Sequence, residues 1–240
     1  MKDGCLVLSL FPGIDLLGRA FEETGFCVVR GPDVIFGGDI RGWHVPAERF
    51  DGVIGGPPCQ CFSQLRRLMK TIGLEPKFGN LIPEFERCVS EAQPSWFVME
   101  NVTNAPSPQV DGYQVSRHVL IDWKCGGKTK RRRAFCFGGL SVQIDQNHWP
   151  SERPQQAVTS NVRIPQKRHI EKARGKGGVF PGDGIMQSIP IACALQGLPQ
   201  DCFDDSPYKV SAVRKMLGNG VPMAMGRAVA KAVKEAMEHG

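Results

Sequence analysis

Cys59 ends the run Asp51-Gly52-Val53-Ile54-Gly55-Gly56-Pro57-Pro58-Cys59, in which an apolar, strand-like segment reaches a cysteine through two glycines and two prolines. Glycine lets such a loop approach a ligand closely and proline restricts φ, so the sulfur is held in one place. A cysteine held this way can attack a ring carbon of a pyrimidine if, in a dry pocket, cationic neighbours lower its pKa enough to give the thiolate. Most cysteines only pack as small hydrophobes; the flanking glycines and prolines set this one apart.

The acid and the cations that such a step needs follow in order. Trp96-Phe97-Val98-Met99 is an apolar strand that leads into Glu100-Asn101-Val102. A carboxyl at the end of such a strand is partly desolvated, which raises its pKa and lets it donate a proton near neutrality. Pairing with a local base, or capping a turn, is the competing role. In Lys128-Thr129-Lys130-Arg131-Arg132-Arg133, period-two alternation puts Arg131 and Arg133 on one side of a strand, where they can face one pocket. Lys128, Lys130 and Arg132 suit a solvated patch or contacts to phosphate equally well.

Three further runs suit a ligand at strand ends. Leu8-Ser9-Leu10-Phe11-Pro12-Gly13-Ile14-Asp15 passes from strand to helix through Pro12-Gly13, where the backbone can be approached closely; it is not Gly-x-Gly-x-x-Gly and implies no dinucleotide phosphate site. Gly37-Gly38-Asp39-Ile40 places a carboxylate after a short strand, as an acceptor for an adenine amino group or a ribose hydroxyl, or simply as a turn or cap residue. Gly218-Asn219-Gly220-Val221-Pro222 opens the terminal helix, with amides and the Asn219 side chain able to close over a ligand; alone it is a turn and helix start.

The elements that must carry these residues alternate in type. Strands are expected at 6–11, 26–29, 34–36, 51–54 and 95–100, with helices at 15–24 and 82–92, which is an α/β chain with a parallel sheet covered by helices. Segments 114–121 and 134–137 are further strands suited to antiparallel edge pairing. Residues 139–184 are rich in Pro, Gln, Asn, Arg and Gly without a sustained period and read as a small irregular subdomain or a partly mobile one. Order returns at 191–198, and 223–237 forms a terminal helix. The expected division is a catalytic domain of residues 1–138 plus 215–240 and a recognition region of 139–214.

At 240 residues and 41% hydrophobic, the chain can bury a proper core. It has no apolar stretch of about 18 residues, and Met-Lys-Asp-Gly-Cys-Leu-Val leads into a strand rather than a signal peptide, so a cytoplasmic protein without membrane attachment is expected. Nine cysteines, several in apolar runs, suit a reducing compartment. Cys59 and Cys61 lack a second paired cluster with metal-ligand spacing, so no metal is expected. The net charge of +6 is concentrated between Lys124 and Arg133 and again at Arg163, Lys167, Arg168, Lys172, Arg174 and Lys176. Such clusters suit a phosphate backbone, with solvated surface as the alternative.

In this order, the runs resemble the cytosine-5 DNA methyltransferases. Leu-Ser-Leu-Phe-Pro-Gly is similar to the family's first motif, Gly38-Asp39-Ile40 to its third, Gly-Pro-Pro-Cys-Gln to its nucleophile loop, Glu100-Asn101-Val102 to its sixth, Arg131-x-Arg133 to its eighth and Gly218-Asn219-Gly220-Val221-Pro222 to its tenth. The resemblance implies a Rossmann-like class I methyltransferase sheet with a small irregular target-recognition subdomain. It implies S-adenosylmethionine as cofactor, held by Phe11, Gly13, Asp39, Ile40, Pro57, Leu81, Asn219 and Val221. Cys59 would add to carbon 6 of the cytosine, Glu100 would protonate ring nitrogen 3, and Arg131 and Arg133 would support the pocket, on a base flipped out of the stack. The implied partner is double-stranded DNA, touched by Lys128, Lys130, Arg163, Lys167 and Arg168. The implied setting is restriction-modification or phage biology in a bacterial or phage-infected cell, and a monomer is compatible with it.

Three departures accompany the resemblance. The family's ribose-binding acid after the second strand is replaced by Val28-Val29-Arg30-Gly31-Pro32-Asp33, with Asp33 as substitute. Thr129 stands where a glutamine precedes the paired arginines. Only residues 139–152 separate the eighth motif from Arg153-Pro154, similar to the ninth, where the family carries a large recognition domain. This compactness is similar to small phage and prophage-borne members; recognition then falls to residues 161–183 and adjacent loops, which suggests a short target. The alternatives are an RNA cytosine-5 methyltransferase, an inert DNA-binding regulator on the same fold, and a redox or metal protein using Cys59 and Cys61.

Overall fold

Successive residues of a strand point to opposite faces. Val7, Ile54, Trp96, Val98, Phe135 and Phe137 share one apolar cluster, while Leu8, Leu10, Val53, Phe97, Met99 and Cys136 share another. All are buried, so both faces need cover, as for the near-continuous apolar strands of a parallel sheet. In the computed structural model, which describes residues 4–62, 79–149, 152–158 and 188–239, these strands form a six-stranded sheet. They are β1 (Leu6–Leu10), β2 (Cys27–Arg30), β3 (Gly52–Gly55), β4 (Trp96–Asn101), β5 (Val115–Ile121) and β6 (Arg132–Gly138), in the order β2-β1-β3-β4-β6-β5. β1 pairs in parallel with β2 and β3, and β3 with β4; β6 runs antiparallel between β4 and β5.

The helices are α1 (Leu16–Glu23), α2 (Ile82–Ala92), α3 (Ile189–Gln196), α4 (Val210–Asn219) and α5 (Met223–His239). Leu17 and Phe21 of α1, with Met225, Val229 and Val233 of α5, cover the first face; Phe85, Cys88 and Val89 of α2 cover the second. Burying a side chain such as Phe21 or Phe85 stabilises the fold by about 1.5–3 kcal/mol each. A third cluster joins Leu16 and Ala20 of α1 to α3, α4 and Val158. Asp15 starts α1 by accepting the Gly18 N–H, and the Ser9 hydroxyl donates to the same carboxylate at 2.8 Å. Among the described residues, no helix is long and apolar enough to cross a membrane.

The fold matches the expected α/β class with one local exception. Residues 34–36, expected as a strand, form a 3-10 turn: the Asp33 carboxylate accepts the Ile35 N–H at 2.8 Å, and Gly37 ends the turn with φ of 82°. Gly38-Asp39 therefore follows a turn rather than a strand. Residues 139–149 and 152–158 carry no helix or strand beyond one bridge between Thr129 and Gln155. The expected recognition segment 161–183, with Arg163, Lys167 and Arg168, lies outside the described residues.

Candidate active site

Parallel β3 and β4 end at the same edge of the sheet, and antiparallel β6 begins there, so one edge receives residues from three strands. Cys59 follows β3 by a four-residue step and opens a 3-10 turn, Cys59–Cys61, where it is half-buried. Glu100 and Asn101 close β4, opposite Phe135 and Ala134 of β6. Arg133, near the start of β6, lies with Nε 2.8 Å from Glu100 Oε1; this is an ion pair in which the N–H is not aligned for a hydrogen bond. Gly56 admits the carboxylate to the loop: a Cβ there would lie 3.0 Å from Glu100 Oε2. Buried Asn101 fastens the loop from the other side, its amide donating to the Pro57 carbonyl at 3.1 Å while its oxygen accepts the Val102 N–H at 2.8 Å.

Burial dominates the electrostatics. It pushes the Cys59 thiol above its ordinary value of 9.0, against the pull of Arg133; Glu100 pushes it further and Arg131 pulls it back. The lowered thiolate pKa expected from the sequence is therefore corrected: in the resting site desolvation outweighs the two guanidinium groups. Burial likewise raises the Glu100 carboxyl above 4.5, opposed by Arg133 and then Arg131. Both acid groups lean toward their neutral forms.

Arg131 departs from the expected pair. It precedes β6, is 5% exposed, and its guanidinium donates to the carbonyls of Val158 at 2.7 Å and Gly218 at 2.6 Å. Burial, followed by Arg133, pushes it down to about 9, so it stays charged near pH 7. Its backbone is held from below: buried Asp122 accepts the N–H and hydroxyl of Thr129 at 2.8 and 2.6 Å, and the Thr129 oxygen accepts the Arg131 N–H at 3.3 Å. Gln196 donates to the carbonyls of Leu217 and Gly220, so the end of α4 is fixed by Arg131 and Gln196 together.

The expected cofactor residues fall into two groups. Phe11, Ile40 and Leu81 join the second apolar cluster, with Phe11 and Leu81 only half-buried, and Gly13 borders open space with φ of 56°. Buried Pro57 lies in the cysteine loop. Asp39 is exposed and paired with Arg41 at 2.7 Å while capping its N–H, so the cap role weighed for it is realised. Asp33 is engaged by the Gly13 N–H at 2.9 Å as well as by Ile35. Gly218 and Asn219 end α4 rather than open the terminal helix; Asn219 is exposed, whereas Val221 turns into the first core cluster.

Lys128 and Lys130 are exposed on either side of buried Thr129. Two surface hollows, one beside Lys128 and one between α5 and residues 143–147, include none of Cys59, Glu100, Arg131 and Arg133 in their walls. Sequence reasoning gave no role to Asn101, Asp122 or Gln196. Asn101 carried a signal, being the strand neighbour of Glu100; Asp122 and Gln196 carried none, because their partners are fixed only by tertiary packing.

A model of the family described as C-5 cytosine-specific DNA methylase matches residues 37–179. The type II methyltransferase M.AquIA of Picosynechococcus sp. is 37% identical over 148 residues, which cover 51% of this chain and 58% of that protein. The chain spans about half the length of the curated relatives it matches, or less. Among solved structures, methyltransferase EhMeth of Entamoeba histolytica superposes with a TM-score of 0.66 at 12% identity, over 98% of this chain and 99% of that one. A prophage-encoded DNA modification methyltransferase of E. coli gives 0.59 at 17% identity, over 98% and 100%. These two likenesses show the fold. Because the family match extends over more than half of the chain and takes in the cysteine loop, Glu100 and both arginines, the chain belongs to the C-5 cytosine-specific DNA methylase family.

Proposed function

We propose that the chain is a DNA cytosine-5 methyltransferase that moves a methyl group from S-adenosylmethionine to carbon 5 of a cytosine flipped out of duplex DNA, through a covalent Cys59 adduct. The supporting observation is the meeting, at one sheet edge, of the Cys59 loop, buried Glu100 and Arg133.

The residues suit each step. Cys59, its proton lost to solvent, adds as thiolate to carbon 6 while Glu100 gives its proton to ring nitrogen 3. Carbon 5 then becomes the nucleophile that would take the methyl group, the donor's sulfur keeping the electron pair of the broken bond, and nitrogen 3 returns its proton to Glu100. Loss of the carbon-5 proton to a base and expulsion of Cys59 then restore the ring. The raised Glu100 pKa is what a proton donor near neutrality needs. A proton on Glu100 also removes the negative charge that pushes Cys59 up, so that the arginines oppose burial alone.

Half-buried Phe11 and Leu81 with Ile40, and the open space at Gly13, fit an adenosyl group, with Asp39, Pro57, Asn219 and Val221 as the other proposed contacts. S-adenosylmethionine would supply an electrophilic methyl group there. Residues 1–138 and 215–240 are proposed as the catalytic part and 139–214 as the DNA-recognition part, acting in the cytoplasm of a bacterial or phage-infected cell.

Labelled cofactor with duplex DNA or transfer RNA, and trapping on duplex DNA containing 5-fluorocytosine, test the proposal. Label in DNA and an adduct lost in Cys59→Ala are expected; label only in transfer RNA, or no adduct with wild type, overturns it. Methylation mapping in an expressing host should show a short site, and six or more defined bases would count against so small a recognition region.

A further inference from the structure

We infer that the hollow beside the β5–β6 connection seats one nucleotide of the duplex next to the target cytosine, with Trp149 against its sugar or base and Lys128 and Arg153 on its phosphate. This rests on the DNA methyltransferase reading and assigns it a contact outside the reactive site. The hollow measures about 440 Å³ and is walled by Gly126, Gly127, Lys128, His148, Trp149 and Arg153, among others.

Trp149 is 78% exposed, and an indole is ordinarily a covered side chain. It rests on Trp123, with ring centroids 5.6 Å apart and planes tilted by 54°, so only part of its surface has a partner. The walls are tied together. Lys130 N–H donates to the Gln155 carbonyl and Gln155 N–H to that of Lys128, both at 2.9 Å, and His148 N–H donates to Lys124 at 3.3 Å. A loosely attached tail would not show this ladder.

Charge selects the occupant. Lys128 and Arg153 are exposed in its walls beside Glu152, Lys130 and Arg132 are exposed further along the same chain segment, and Lys124 lies 5.7 Å from the Trp123 ring. An aromatic face among cations matches a nucleotide, whose phosphate pairs with the cations while its sugar or base packs on the ring. Arg131 is three residues beyond Lys128, a span of about 10 Å at most for an extended chain. The seated nucleotide thus lies near the base that reaches Cys59.

Fluorescence anisotropy with a labelled duplex of mixed sequence, over a range of salt, tests this. Trp149→Ala should weaken binding about tenfold or more with an unchanged salt slope, and Trp149→Phe should retain most of the affinity. Lys128→Ala with Arg153→Ala should lower the slope of log affinity against log salt by about one, as for the loss of one neutralised phosphate. Wild type that methylates DNA while Trp149→Ala binds duplex equally tightly overturns the hollow and leaves the methyltransferase reading standing. Wild type that binds duplex through Trp149 yet transfers no methyl group overturns that reading and supports the hollow.

Discussion

Replacing Arg131 and Arg133 separately by methionine should separate two roles that adjacent positions in one motif conceal. Methionine keeps much of the arginine stem but offers no donor. At Arg131 it leaves the Val158 and Gly218 carbonyls, bonded at 2.7 and 2.6 Å, without their partner in a site 5% exposed. A hydrogen bond from a charged group contributes about 1.5–3 kcal/mol. Two from one guanidinium come to about 3–5 kcal/mol, after part is offset because no buried charge need be desolvated. At about 2–4 °C per kcal/mol for a chain of this size, the melting temperature should fall by about 6–20 °C. Arg133→Met removes the ion pair with Glu100, whose carboxyl can take up a proton instead of remaining a buried unpaired anion, and an exposed hydrogen bond to the Arg132 carbonyl at 2.9 Å. Its melting temperature should move by about 4 °C or less, while adduct formation slows because the strongest influence lowering the Cys59 pKa is gone. Thermal melts beside 5-fluorocytosine trapping rates read both effects. Equal losses of stability, or an Arg131→Met melt within about 2 °C of wild type, would refute the assignment.

Three further outcomes follow from the same geometry. Glu100 has a folded pKa above its unfolded value, so its contribution to stability is present below about pH 4.5 and is lost as pH rises through the folded pKa. Glu100→Gln lacks that loss: it should melt higher than wild type at pH 8, by a margin that vanishes toward pH 4, while methyl transfer drops about 10²–10⁴-fold. A margin independent of pH would contradict the raised carboxyl. Asn101→Ala frees the Pro57 carbonyl and should cost about 1–3 kcal/mol in urea unfolding, with kcat falling about 100-fold as the nucleophile shifts; unchanged kcat would show that the clamp does not position Cys59. In Gly56→Ala the new Cβ would lie 3.0 Å from Glu100 Oε2, so the carboxylate must move by a few tenths of an ångström. A smaller but measurable drop in single-turnover rate is expected, with little change in melting temperature, and a wild-type rate would mean the carboxylate has room to spare.

Much of the scaffold was readable from pattern because it is set by local periodicity. The strands around Val53, Phe97 and Phe135 alternate between two buried faces, and α5 repeats small and apolar residues at helical spacing. The 34–36 turn was misread because three apolar residues suit a strand and a turn equally, and what decides between them is the Asp33 cap and the left-handed Gly37. At the site, residue types at strand ends were legible and their energetics were not. Whether Cys59 is raised or lowered depends on how far burial outweighs Arg133, a balance with no trace in spacing. Arg131 shows the same limit: alternation placed it beside Arg133, but its bonds reach carbonyls 27 and 87 residues away.

Those distant bonds explain why the reactive edge and the C-terminal segments form one unit. Arg131 bonds the end of α4 while its backbone rests on Thr129 and Asp122 at the base of the hairpin that also carries Lys128 and the hollow. Gln196 braces the same α4 terminus from α3. The chain of buried hydrogen bonds thus runs from Asp122 through Thr129 and Arg131 to the carbonyls of Gly218 and Val158. Both acid groups sit in a setting that keeps them neutral until something changes it. A neutral thiol is a poor nucleophile. A proton on Glu100 and the nearby guanidinium groups act together against burial, whereas loss of that proton restores the negative charge that pushes Cys59 up.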